Sequence, residues 1–229
     1  MNSLLDDTRL RTVLDRLHAA SDAQVRDIEA YYRAGADRPT GFEAADSAGR
    51  AFWRDKFVAL DRDKAEFVYL LCRAMGARRI VEAGTSFGVS TLYLAAAVSD
   101  NGGGLVTTCD IEESKAAVAR RHFDQAGLSE HVELRVGDIR ETLRRLNEPI
   151  DVLLLDIWAP IAGDVLAVVG PHLRVGGAVV VDNTTVRREL YGSLFDYLDD
   201  HANGFTTQTL PFAGGLELAV KTAPNRTPN

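Results

Sequence analysis

Two short acidic segments carry the densest chemistry in this sequence. Asp156-Ile157-Trp158 follows the apolar run Val152-Leu153-Leu154-Leu155, and Asp182-Asn183 follows Ala178-Val179-Val180-Val181. If these runs are neighbouring strands, the side-chain oxygens of Asp156, Asp182 and Asn183 converge at their ends. Three oxygen donors suit a hard cation such as Mg2+, which keeps open positions for other ligands. The bland alternative is that both acids cap strands and helices. A third segment, Glu82-Ala83-Gly84-Thr85-Ser86-Phe87-Gly88-Val89-Ser90, follows Ile80-Val81. Its glycines let the backbone approach a ligand closely, and the helix start beyond them, with Ser90, offers N–H groups to a carboxylate. The spacing is G-x-x-x-G rather than the G-x-G-x-x-G of dinucleotide folds, so an NAD-type oxidoreductase is the weaker reading.

Asp110, with Ile111 after it, follows the run Leu105-Val106-Thr107-Thr108. An acid in that place accepts both hydroxyls of a ribose or caps the next helix; beside the glycine loop the ribose role is favoured. Gly137-Asp138 follows Val132–Val136. Asp138 is either an acceptor for an adenine amino group or a helix N-cap, and Trp158 either flanks adenine or fills core.

The elements that must position these residues alternate. Short β-branched runs recur with helical stretches at 88–98, 112–126, 139–146, 161–172 and 186–201 between them. That texture predicts an α/β fold, a parallel sheet covered on both faces, with ligands at the carboxyl ends of its strands. Phe205–Leu210 and Leu216–Lys221, joined by a Pro211–Gly215 turn, predict an antiparallel hairpin. Upstream, Leu10, Val13, Leu14 and Leu17 predict a helix, Ser21 and Gln24 a capping box opening a second one, and 60–75 another. Residues 34–49 read as a loop and 222–229 as a frayed tail.

Composition narrows the function classes. A chain of 229 residues with 46% apolar and 26% charged residues fits one substantial globular domain. Its net charge of -7 speaks against nucleic-acid binding, which runs on cations neutralising phosphates. Cys72 and Cys109 lack CxxC partners, so neither a disulfide framework nor a structural zinc site is expected. No apolar run approaches the roughly 18 residues of a membrane span, and the N-terminus lacks a signal-peptide pattern. The expected setting is the cytoplasm, with no membrane partner.

Taken in order, Ile80–Ser90, Asp110, Gly137-Asp138, Leu155–Trp158 and Val181–Asn183 resemble the cation-dependent class I O-methyltransferases, the catechol and caffeoyl-coenzyme A enzymes and their small bacterial relatives. The resemblance covers about residues 56 to 221. It implies a Rossmann-like, seven-stranded, mostly parallel sheet with an antiparallel last strand, and S-adenosylmethionine (S-adenosyl-L-methionine) as cofactor. It implies that Glu82, Gly84, Ser90 and Asp110 hold the methionine and ribose parts, and that Phe57, Val58 and Ala59 close over them. Thr85, Ser86, Ile111, Gly137, Asp138, Asp156 and Trp158 complete the expected cofactor site. It further implies Mg2+ or another divalent cation on Asp156, Asp182 and Asn183, a small-molecule acceptor and a homodimer. The expected division is a helical extension over 1–55 that roofs the site, the cofactor domain over 56–221, and a tail.

One position departs from the family pattern. Where such enzymes carry a Lys that acts as base, this chain has Ala159, followed by Pro160. Lys64, His18 and Asp164 are candidate replacements, and Asp156 with Lys64 forms the expected catalytic pair. Other readings stay open: a metal that suffices without a base, a metal-independent enzyme, an acceptor nitrogen, carboxylate or tRNA hydroxyuridine, or a relative that binds cofactor without catalysis.

Overall fold

The computed structural model describes residues 3–31, 33–34, 47–146 and 148–223. Within them lies a seven-stranded sheet: β1 (Arg79–Ala83), β2 (Leu105–Asp110), β3 (Val132–Val136), β4 (Ile150–Leu155), β5 (Leu173–Asp182), β6 (Phe205–Leu210) and β7 (Leu216–Lys221). Its order is β3-β2-β1-β4-β5-β7-β6. The first five strands pair in parallel, and β7 runs antiparallel between β5 and β6. The Rossmann-like expectation holds, including the antiparallel last strand and both ends of its hairpin.

Strand order reverses between β1 and β4, which opens a crevice at their carboxyl ends. β4 and β5 read as continuous apolar runs because both their faces are covered. Successive side chains divide between two cores. Val152, Leu154 and Val180 join Leu92 and Leu94 on one face; Leu153, Leu155, Val179 and Val181 join Val165, Leu166 and Leu194 on the other.

The first face is covered by α1 (Thr8–Asp22), α4 (Arg62–Ala74), α5 (Val89–Asp100) and α6 (Glu113–Ala126). α5 is buried from Val89 to Val98, as an all-apolar helix must be. On the second face lie α7 (Ile139–Thr142), α8 (Ala159–Val169) and α9 (Gly192–Asp199). Leu10, Val13, Leu14 and Leu17 of α1 enter the same core as β1 and α5.

Two local expectations change. Ser21 and Gln24 form no capping box for α2 (Val25–Tyr31). The Ser21 hydroxyl donates to the Phe57 carbonyl at 2.8 Å, and the Gln24 side chain accepts from Phe57 N–H at 2.9 Å. Both side chains had a stronger use in pinning a distant segment than in capping the next turn. The predicted loop over 34–49 ends early, since α3 spans Ser47–Arg54; 35–46 and the tail at 224–229 lie outside the described residues.

Candidate functional site at the crevice between β1 and β4

The loop after β1 turns sharply into α5. Gly84 has φ 104 and Gly88 φ 85, both left-handed, and Ser86 is held at φ 46. A Cβ on Gly84 would run into the Asp156 carbonyl, so the bare backbone is what lets the loop and the end of β4 meet. The loop is tied sideways to β2. Gly84 and Thr85 N–H both donate to the Cys109 carbonyl at 3.1 Å, and the Thr85 and Thr108 hydroxyls share a 2.6 Å hydrogen bond.

Glu82 lies beneath this loop, fully buried, and lines no cavity. Its Oε2 accepts from the Thr91 and Thr108 hydroxyls at 2.5 and 2.6 Å, while Oε1 has no partner. Burial raises its carboxyl pKa against the pull of the Ser90, Thr108 and Thr91 hydroxyls. Its contacts tie the start of α5 to the end of β2 beneath the loop.

Asp110 ends β2 and accepts from Ser86 N–H at 2.6 Å with one oxygen and from Glu112 N–H at 2.8 Å with the other. It anchors the loop and the start of α6 together, and burial raises its pKa. Each oxygen keeps a second lone pair toward the cavity it lines. Asp138 caps α7 by accepting from Arg140 N–H at 2.8 Å, and the Arg140 guanidinium holds its pKa below the usual carboxylate range. The N-cap reading of Asp138 is thus realised, although the residue also lines the cavity. Gly137, at φ 137, lines no cavity; its N–H donates to the Asp110 carbonyl.

Two cavities meet at Gly84, Ser86 and Asp156. The smaller lies between Phe57, Val58 and Ala59 on one side and Thr85 and Ser90 on the other. The larger, about 370 Å³, extends past Asp110 and Ile111 to Trp158, Ala159 and Asn183, a size suited to a small ligand. The 57–59 segment is strapped down by Ser21 and Gln24, by the stacking of Phe57 on Phe87 at 3.9 Å, and by Lys115 Nζ donating to the Lys56 carbonyl at 3.1 Å. Trp53 of α3 packs edge-on against Trp158 at 5.4 Å, and both face the larger cavity. Trp53 and Lys115 carried no local motif that marked them.

At the far wall, Leu155 pairs with Val181, so Asp156 and Asp182 follow adjacent strand ends as expected. Asp156 is half-buried and lines both cavities. Its pKa lies well above the ordinary carboxylate value through burial, with the Asp182 and Glu82 charges adding to it. Asp182 is buried and both its oxygens are engaged: Oδ1 by Lys64 Nζ at 2.7 Å, Oδ2 by Asn183 Nδ2 at 2.8 Å.

Lys64 is 0% exposed. Its ammonium also pairs with Asp61 at 3.1 Å. Burial pulls its pKa down, but the bonds and charges of Asp182 and Asp61 outweigh that and raise it. Lys64 lines neither cavity, and its ammonium is taken up by the two carboxylates. His18 bonds the Tyr93 hydroxyl at 3.0 Å, and Asp164 is exposed beside Arg140; neither lines the cavity. Asp156 alone of the expected catalytic residues does.

The divalent cation does not fit this arrangement. The place beside Asp182 is filled by an ammonium, and Asn183 presents its amide nitrogen rather than its oxygen.

Comparison with known proteins decides the family. Residues 81–184 match the family described as a methyltransferase domain. A Mycolicibacterium smegmatis protein, provisionally named an O-methyltransferase, is 33% identical over 150 residues, 58% of this chain and 70% of that protein. The chain belongs to the S-adenosylmethionine-dependent O-methyltransferases. Catechol O-methyltransferase of Niastella koreensis is 30% identical over 130 residues, 55% of this chain, and the match spans only 58% of that protein's length. The O-methyltransferase TomG from Streptomyces achromogenes, solved with S-adenosylmethionine and involved in tomaymycin synthesis, superposes with a TM-score of 0.65 at 26% identity, covering 86% of this chain and 96% of TomG. In this methyltransferase the matched segment runs from β1 to just past Asn183, the stretch that carries the crevice.

Proposed function

We propose that this methyltransferase transfers a methyl group from S-adenosylmethionine to a hydroxyl of a small acceptor. The observation that carries the reading is the pair of cavities joined at Gly84 and Asp156. The bare Gly84 backbone suits the methionine end where the larger cavity reaches Gly84 and Ser86, and the smaller one, about 10 Å³ beside Ser90, must widen as the 57–59 strap moves. Asp110 suits the ribose hydroxyls, with Ile111 and Trp158 beside the adenine. When bound, S-adenosylmethionine supplies a methyl on a cationic sulfur, and the electron pair of the broken bond stays on that sulfur.

The chain's own residues do the rest. The strap at 57–59 excludes water from the sulfur. Trp53 and Trp158 offer flat apolar faces to an acceptor ring. Fixing acceptor and methyl in line supplies roughly 7 kcal/mol or more in favourable cases. Asp156, the carboxylate at the junction, takes the proton that the acceptor oxygen gives up; its raised pKa suits that task better than an ordinary carboxylate. The same family reading carries a homodimer and a cytoplasmic setting.

Calorimetry with S-adenosylmethionine and S-adenosylhomocysteine tests the cofactor, with one site of micromolar affinity expected. Mass spectrometry of a panel of catechols and other phenols then reads methylated product. Absence of cofactor binding would sink the reading.

A further inference from the structure

We infer that the Lys64 ammonium stands in place of a divalent cation at the ends of β4 and β5, so that this chain organises its acceptor-side carboxylates without a metal. Three observations carry it.

The first is geometric. Lys64 Nζ lies 2.7 Å from Asp182 Oδ1 and 3.1 Å from Asp61 Oδ2, with a side chain 1% exposed. A fixed cation already neutralises the carboxylate that a metal would need, and a second cation beside it is repelled. The second concerns where Lys64 comes from. It sits in the first turn of α4, where the helix dipole disfavours a positive charge, and it is held there by a carboxylate 118 positions along the chain. Asp61 pairs with it from the same helix start, and Asp182 pairs with it from across the fold. The third is the amide of Asn183. Its nitrogen donates to Asp182 Oδ2, and its Oδ1 lies toward Gly214, where a Cβ would meet it at 2.5 Å. A metal site would require the oxygen to face the carboxylates instead.

The consequence falls on Asp156. A metal shared by both acids would tie up its oxygens. With Lys64 engaged by Asp182 and Asp61, Asp156 keeps its place on the cavity wall. Lys64 is in this sense a positioning residue: it reaches the reaction through Asp182 and touches no reactant.

Mn2+ titration followed by calorimetry and electron paramagnetic resonance tests the idea without an acceptor. Wild-type protein is expected to bind no stoichiometric Mn2+. Lys64→Met vacates the place beside Asp182 and is expected to gain one Mn2+ site, lost again when Asp182→Asn is added. A merely structural lysine would give no such gain. If Lys64→Met does not fold alone, refolding in millimolar Mn2+ reads the same site, and recovery supports the inference. It is overturned by tight one-to-one Mn2+ binding to the wild type that Asp182→Asn abolishes. A folded Lys64→Met that binds none, or one that Mn2+ fails to rescue, overturns it too. The inference deepens the methyl-transfer reading, yet the two fail separately, because S-adenosylhomocysteine binding to the wild type reads the cofactor site alone.

Discussion

At the scale of single residues, the site depends on two acids that look alike in sequence and behave differently in place. Asp182 is closed off, with Lys64 on one oxygen and Asn183 on the other. Asp156 opens into both cavities. One is bound by donors and the other opens on the cavity, where the proposed proton acceptor must stand. Asp156→Asn keeps the side chain's size and the backbone carbonyl that packs on Gly84. General-base groups contribute about 100-fold or more, so its turnover on a phenol that the wild type methylates is expected to fall at least that far while S-adenosylhomocysteine affinity stays within a few-fold. Unchanged turnover in steady-state assays would remove Asp156 from the proton transfer.

Elements set what a residue can do, and here the loop after β1 decides most. Gly84 needs both its positive φ and its missing Cβ. Gly84→Ala forces a backbone conformation costing about 1–3 kcal/mol and pushes the loop off the Asp156 carbonyl. Calorimetry is expected to show cofactor binding lost and thermal unfolding lowered. Gly192→Ala is the control: that glycine is helical, with φ -49 and open space around its Cβ position, so binding should persist and stability hold or rise. This contrast also shows how far the sequence was legible. The apolar runs Val152–Leu155 and Ala178–Val181 are unbroken because they are central strands, and their acids stand at the crevice for that reason alone. Glycine spacing and strand ends are local signals. The Lys64–Asp182 pair, the Ser21 and Gln24 clamps on Phe57, and the Trp53–Trp158 contact are tertiary. Their members sit in separate elements, so no periodicity or spacing marks them. Ser21 and Gln24 even carry a misleading local signal, since their types at that spacing suit a cap that does not form.

For the whole molecule, two buried histidines tie helices to one another and to the loop after β1. His18 of α1 bonds the Tyr93 hydroxyl of α5 at 3.0 Å; its pKa is lowered by burial and by Arg62, against Asp22, Asp15 and Asp61. His122 of α6 donates Nδ1–H to the Phe87 carbonyl at 2.9 Å; its pKa is lowered by burial and by Arg16 and Arg121, against the Phe87 bond. Both have a lowered pKa when folded and regain the ordinary value of 6.5 when unfolded. Below that value the unfolded chain binds more protons than the folded one, so stability rises with pH through the window. It is complete above 6.5 and is lost as pH falls toward each lowered folded value. Each histidine contributes a slope of up to about 1.4 kcal/mol per pH unit, and 1 kcal/mol shifts the melting temperature by roughly 2–4 °C for a chain of this size. Urea midpoints measured between pH 7.5 and about 5 should therefore fall steadily, and the fall should be shallower in His122→Gln. An acid transition with the same slope in wild type and His122→Gln would remove His122 from that linkage.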